Sequence, residues 1–303
     1  MLLSQPINYT GFFSVKLAMF THQGRTRIGI VTGDGVIDTA GETGIPADLR
    51  EALEAGAPVM DRLRALAAGV QPTLALKDVH LEAPIRRPPK FLAIALNYAE
   101  HISETALPKP EFPKFFNKQS TCVNGPYDPI HLPRVSNKLD YEGELGVVIG
   151  RRCRHVPKDR APEVVAGYLI VNDVTVRDWQ AKSETFTLGK SFDTHGPIGP
   201  WLVTPDEIPD PHQLDFRTTV NGAGRQHSNT RHMIFSIWEQ IEVLSTAFTL
   251  EPGDIISTGT CAGVGVKMNP RGYLKAGDVV RVEIEKIGFI ENHIVPEPNT
   301  QML

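Results

Sequence analysis

The sequence predicts a β-rich α+β protein, with a small N-terminal α+β domain ahead of a larger body of mixed strands in a barrel-like or sandwiched arrangement. Three observations predict it. Short apolar runs of strand length recur along the chain, 26 glycines and 24 prolines punctuate them, and helical periodicity is sparse. Many short strands separated by turn residues point to a rolled or layered sheet.

Residues 16–20 and 27–31 are strand-like runs joined by a polar turn at Gln23–Gly24, and Thr32-Gly33-Asp34-Gly35 leads into a third at 36–38. Together they read as an antiparallel meander. Residues 49–68, rich in Ala, Leu, Glu and Arg, read as one amphipathic helix. Three prolines and three basic residues within 82–90 stop regular structure and set the boundary between an N-terminal domain, 1–85, and the main body, 86–303. Residues 1–14 read as an extension ahead of the first strand. Beyond the boundary, residues 91–96, 145–149, 167–171, Ile255–Ser257 and Val279–Ile284 are strand candidates, and 233–245 is the clearest helix.

The 303 residues, 41% hydrophobic and 22% charged, can bury a sizeable core. A net charge of −4 and a pI near 6.2 give no electrostatic case for nucleic acid or an anionic membrane. Three scattered cysteines, Cys122, Cys153 and Cys261, argue against a disulfide framework. With no signal-peptide pattern and no apolar run of spanning length, the expected location is the cytoplasm.

The sharpest local feature is Asp140-Tyr141-Glu142-Gly143-Glu144, which runs into the apolar 145–149. In a strand, residues i and i+2 point the same way, so Glu142 and Glu144 share a face. Paired carboxylates repel unless a cation neutralises them or one takes a proton. A hard divalent ion is the natural occupant, and a solvated strand face is the bland alternative; spacing alone leaves both open. Asp173, at the end of the apolar run 167–171, is a candidate third oxygen ligand, although an Asn-Asp pair is also a common turn former. In Asn97-Tyr98-Ala99-Glu100-His101-Ile102-Ser103-Glu104, a helix would set His101 and Glu104 at i,i+3. A carboxylate beside an imidazole orients it and raises its basicity, as a general base requires; an incidental surface pair is the alternative. Lys190, in Gly189-Lys190-Ser191, can neutralise a substrate carboxylate. The turn Ser257-Thr258-Gly259-Thr260 can present hydroxyl and N–H groups to an anion. Neither a GxSxG elbow nor a GxGxxG dinucleotide signature is present, so metal-activated water is the better nucleophile.

These residues lie in segments that resemble the fumarylacetoacetate hydrolase superfamily from about residue 90 to 293. The segments, in the family's order, are NYAEHISE (97–104), DYEGELGVVIG (140–150), GYLIVNDVTVRDWQ (167–180), GKSFDTHGPIGPW (189–201), VNG (220–222), LEPGDIISTGT (250–260) and YLKAGDVVRVEIEKIG (273–288). The stretch 18–40 is similar to the small N-terminal domain that many members carry. The resemblance implies a mixed-sheet roll, usually a homodimer, acting on a small keto acid. It makes Glu142, Glu144 and Asp173 the ligands of Mg²⁺ or Mn²⁺, and His101 with Glu104 a dyad on a mobile lid. It makes Lys190 and Thr260 substrate contacts, and likens Lys118 and Ser120 to the family's lysine-plus-hydroxyl segment. Ala95 departs from the usual glycine at the root of the lid. The implied reaction is hydrolytic cleavage of a carbon–carbon bond in a 2,4-dioxo acid such as an acylpyruvate, fumarylpyruvate or fumarylacetoacetate. The same site could instead decarboxylate oxaloacetate or isomerise a dienoate. A non-catalytic binding protein on this fold is the alternative from another class, against which the dyad argues.

Overall fold

The computed structural model describes residues 15–105 and 108–299, so the extension expected at 1–14 and residues 106 and 107 of the expected lid lie outside it. One mixed sheet dominates. From edge to edge its main path runs Leu74–Ala75, Gly35–Asp38, Arg25–Thr32, Lys16–His22, Gly196–Val203, Val165–Asn172, Gly143–Ile149, Ile255–Ser257, Phe91–Ala95 and Lys114–Lys118. The meander forms as expected, each strand antiparallel to the next. It joins the rest of the sheet where Lys16 and Leu17 pair with Val203 and Leu202, so hydrogen bonding is continuous across the residue-85 boundary.

The strands Gly143–Ile149 and Val165–Asn172 lie at the centre and are buried on both faces. Leu145, Val147 and Ile149 pack with Tyr168 and Ile170 into a core completed by Phe216, Val282 and Ile284 of a second, five-stranded sheet and by Ile237, Ile241 and Leu244 of the helix Ile237–Ala247. Val148, Leu169 and Val171, on the opposite face, pack with Leu49, Leu53 and Leu63 of the N-terminal helices. A strand covered on both sides reads as a continuous apolar run rather than an alternating one. The result is a layered, sandwiched body. The main sheet is open, with edges at Leu74–Ala75 and Lys114–Lys118, so no closed barrel forms among the described residues.

Two helices differ from expectation. The stretch 49–68 is not one helix but two, Leu49–Ala55 and Ala57–Gly69, because Gly56 turns the chain at φ 76° and Pro58 begins the next helix. The helix expected from 233 begins instead at Ile237. Ser236 and Glu239 form a capping box there, while Met233 bridges to Tyr98. No helix of the described residues is long and apolar enough to cross a membrane.

Candidate active site

Antiparallel pairing sets Gly143 opposite Asn172, which brings Glu142 beside Asp173; the Asp173 N–H donates to the Glu142 carbonyl at 2.8 Å. One carboxylate oxygen from each of Glu142, Glu144 and Asp173 lies within 4.8 Å of the others, and all three side chains are buried. Buried carboxylates need partners, and each has its own set. Lys190 Nζ lies 2.7 Å from Glu142 and 2.6 Å from Asp173. Arg177 spans Asp140 at 2.8 Å and Glu142 at 2.7 Å. Glu144 Oε2 accepts from Ser257 Oγ at 2.6 Å and from the Gly259 N–H at 2.8 Å, with no cation paired to it among the described residues.

These surroundings separate the two glutamates. Burial pushes Glu142 up, but Lys190, Arg177 and His101 outweigh it and hold the carboxyl well below its ordinary range. Burial, with Asp173 and Glu142 alongside, pushes Glu144 up to about 8. Burial lowers Lys190, yet Asp173 and Glu142 more than compensate and keep it charged. Three carboxylates (Asp140, Glu142, Asp173) thus face three cations (Lys118, Lys190, Arg177), and ionising Glu144 would add one negative charge in excess.

Lys118 is buried, and all three of its N–H groups are committed to the protein. It bonds Asp173 Oδ1 at 2.7 Å, the His195 carbonyl at 3.1 Å and the Lys190 carbonyl. The substrate contact implied for Lys118 by resemblance therefore meets an ammonium with no donor to spare. Ser120 opens a 3₁₀ turn two residues on, and its hydroxyl bonds none of the carboxylates among the described residues.

The helix Ala99–Thr105 carries the imidazole and carboxylate on one face, with His101 Nδ1 3.1 Å from Glu104 Oε2. Glu104 Oε1 accepts from the Gly263 N–H at 2.9 Å, which docks the helix on the 259–263 turn. Thr260 lies on that turn and closes a ring. Its hydroxyl donates to the Gly143 carbonyl at 2.9 Å and accepts from Gln226 Nε2 at 2.7 Å, while Gln226 Oε1 accepts from the Gly143 N–H at 2.9 Å. Both polar groups of the residue between Glu142 and Glu144 are thereby fixed. Gly143 itself faces the five-stranded sheet so closely that a Cβ would stand 2.3 Å from Thr218 Oγ1.

Asp140, Arg177 and Gln226 belong to this site and were not among the sequence candidates. Asp140 and Arg177 carry a legible signal, since each is a charge flanking a buried strand. The Gly259 N–H belongs to the turn read as able to face an anion, and that anion is Glu144, while Gln226 carries no signal because only long-range packing brings it in.

A family model described as "Fumarylacetoacetate (FAA) hydrolase C-terminal" matches residues 90–295. Over 296 residues the chain is 40% identical to oxaloacetate tautomerase fahd2, mitochondrial, of Xenopus laevis, covering 95% of this chain and 93% of that protein. The structure resembles maleylpyruvate hydrolase from Sphingobium sp. SYK-6, solved in complex with manganese(II) and pyruvate, at a TM-score of 0.79 and 31% identity, covering 93% of this chain and 100% of that one. It also resembles 5-carboxymethyl-2-hydroxymuconate delta-isomerase from Mycobacterium smegmatis at a TM-score of 0.74 and 34% identity, with 93% and 100% covered. Relatives with three different activities thus share this fold, and the chain belongs to the fumarylacetoacetate hydrolase family of enzymes.

Proposed function

We propose that this enzyme is a divalent-metal-dependent hydrolase that cleaves a 2,4-dioxo acid to pyruvate, or a related 2-oxo acid, and a carboxylic acid. The observation that carries the reading is the His101–Glu104 pair standing beside three convergent buried carboxylates. The donor set suits Mg²⁺ or Mn²⁺, being all oxygen, and a dication that displaced the Glu144 proton would leave charge room for one substrate carboxylate. A divalent ion held by Glu142, Glu144 and Asp173 would supply Lewis-acid stabilisation of charge on the 2-oxo oxygen.

The chain's own groups do the rest. Lys190 spends two N–H groups on Glu142 and Asp173, and its third would hold an arriving substrate carboxylate. Glu104, fixed by the Gly263 N–H, accepts from His101 Nδ1–H and leaves Nε2 as the base. His101 takes a proton from water as its oxygen adds to the C4 carbonyl. The C3–C4 bond then breaks, and the proton passes from His101 to C3, so water is consumed and both products are accounted for. The same family reading makes the active form a homodimer, which sedimentation of the native enzyme tests.

A second reading has its own support. The 40% identity with an oxaloacetate tautomerase across nearly the whole chain favours proton transfer between C3 and an enol oxygen, without water. One experiment separates the two. The enzyme is incubated with Mn²⁺ or Mg²⁺, and with EDTA as control, on acetylpyruvate, fumarylpyruvate and oxaloacetate. Products are resolved by mass, and the enol by its ultraviolet absorbance. Pyruvate plus a second acid from a dioxo acid supports hydrolysis. Accelerated loss of enol oxaloacetate with the dioxo acids intact replaces it with tautomerisation, and carbon dioxide release replaces it with decarboxylation. Turnover that survives EDTA sinks the metal-dependent reading altogether.

A further inference from the structure

A second set of metal-ligating side chains, sharing no residue with the first, converges where the N-terminal strands meet the main body of the chain. His80 and Glu82 stand at i and i+2 on the short strand His80–Glu82, so their side chains leave the same face, while Leu81 between them is buried with Phe20 and Val36. That strand pairs with Lys16–His22, which sets Thr21 opposite His80. Asp128 comes from beyond the residue-85 boundary, on the loop between the strands Val123–Asn124 and Ile130–Leu132. One ligand atom from each of His80, Glu82 and Asp128 lies within 4.8 Å of the others.

The two carboxylates are held in place by their surroundings. Thr21 Oγ1 donates to Glu82 Oε1 at 2.5 Å and lies 2.7 Å from Thr26 Oγ1. The buried Asn292 clamps the Asp128 loop, its Nδ2 reaching the carbonyls of Gly125, Pro126 and Asp128 at 3.2, 3.3 and 2.8 Å. The Asp128 carboxylate folds back over Gly125, where a Cβ would stand 2.3 Å from Oδ2, so a side chain at 125 would drive it out of the cluster. His80 Nε2 lies 3.2 Å from Asp128 Oδ1. That separation fits the edge of a tetrahedral zinc site, about 3.3 Å for ligand bonds near 2.0 Å. His80 also lines a cavity of about 650 Å³ with Asp34, Lys77 and Tyr127, which gives an ion a way in.

Charge sets this cluster apart from the catalytic one. Glu142 and Asp173 are each paired with a lysine, whereas neither Glu82 nor Asp128 pairs with a lysine or arginine among the described residues. Burial pushes Asp128 up, His80 opposes it and Glu82 adds to it. Two carboxylates against one imidazole stay negative even when the imidazole is protonated, and a dication would neutralise them.

We propose that His80, Glu82 and Asp128 form a second metal site, for Zn²⁺, whose occupation ties the N-terminal strands to the 125–129 loop. One nitrogen and two oxygens suit zinc, while Mg²⁺ and Mn²⁺ favour the all-oxygen set of the active site. Water completes the coordination. With three protein ligands and a half-exposed imidazole, the ion acts as a removable brace across the boundary and takes no part in the chemistry.

Calorimetric Zn²⁺ titration of EDTA-stripped proteins tests this. Wild type is expected to take up two equivalents, one of them at the catalytic carboxylates. Glu142→Gln and His80→Ala are expected to take up one each, and the double variant none. Within Glu142→Gln, Asp128→Asn is expected to weaken the remaining site by at least about 10- to 100-fold, and Thr21→Val by about 10-fold, the scale of losing an outer partner. Zn²⁺ is expected to raise the Tm of Glu142→Gln and to leave that of the double variant unmoved, as a brace requires. His212→Ala, at an imidazole that pairs with Asp210, is the control and keeps both equivalents. Uptake that His80→Ala leaves untouched, or an equivalent lost in His212→Ala instead, overturns the site. Two equivalents in Glu142→Gln, with one lost in His80→Ala, overturn the catalytic ligand set and leave this one standing.

Discussion

Glu104 and Glu144 are held by backbone N–H groups four residues apart on a single turn, Gly263 donating to the first at 2.9 Å and Gly259 to the second at 2.8 Å. One short segment therefore registers the imidazole's carboxylate against the carboxylate cluster. Gly263 can serve because its φ of 102° suits glycine and a side chain there would strike Arg225. Replacing Glu104 by Gln keeps the acceptor for Gly263 but weakens the hold on His101. Turnover is expected to fall by roughly 10²- to 10⁴-fold, with Mn²⁺ affinity within about threefold of wild type. Steady-state kinetics and calorimetry on the same preparation check this, and undiminished kcat refutes the dyad.

Glu142→Gln removes the charge that Lys190 and Arg177 both face. Metal binding and turnover are expected to disappear together. Wild-type protein at free Mn²⁺ about 100 times its Kd gains about 2.7 kcal/mol, seen as a raised Tm, and the variant gains none. Stoichiometric metal with normal turnover in the variant refutes the ligand assignment.

Lys118→Met strips the partner from Asp173 Oδ1 and from two carbonyls in a buried setting. Leaving a buried charge short of its partner costs about 3–5 kcal/mol, which urea unfolding midpoints measure. Because the ammonium has no free donor, the folded variant saturated with Mn²⁺ is expected to bind oxalate within about threefold of wild type. A loss of oxalate affinity without a loss of stability would support the substrate contact implied by resemblance.

Gln226→Met opens the ring through Thr260 and Gly143, leaving the buried Gly143 N–H without an acceptor and the Thr260 hydroxyl oxygen without a donor. The expected cost is about 1–3 kcal/mol in stability, with weakened Mn²⁺ binding because Glu142 and Glu144 flank the freed peptide. Unchanged metal affinity in the variant would mean that strand pairing alone sets their spacing.

Asp38 is held below its ordinary value chiefly by its hydrogen bond from Arg27, with contacts of 2.6 and 2.5 Å between neighbouring strands of the meander. The folded value is lower than the unfolded one, so the contribution is complete above the carboxylate range and drains as pH falls through the folded value. Asp38→Asn is expected to cost about 1 kcal/mol at pH 7, and the two proteins to converge below about pH 4. Parallel unfolding curves across that range decide it.

Much of this was legible because it is local. Side-chain alternation places Glu142 and Glu144 on one face, and i,i+3 spacing sets His101 beside Glu104. The end of an apolar run marks Asp173. What could not be read depends on partners distant in sequence. Nothing local shows that Gln226 reaches Gly143, that Arg177 turns back to Asp140, or that Lys118 spends its donors on His195 and Lys190. Nor does local pattern show that Lys16 and Leu17 pair with residues nearly two hundred positions away. The broken helix is different in kind, since Gly56-Ala57-Pro58 carries the signal within an otherwise helical run.

The pairing of Lys16 and Leu17 with Val203 and Leu202 bears on how the gene can be cut. A truncated version starting near residue 86 would carry every carboxylate of the site, yet Leu202 and Val203, at the end of Gly196–Val203, would lose their outer neighbour. That bared end, apolar and buried in the whole chain, would then offer unpaired backbone groups to any similar chain. Insoluble expression of such a fragment would reflect this bare flank rather than a failure of the catalytic half to fold. A charged residue or a bulge placed on that flank is the remedy.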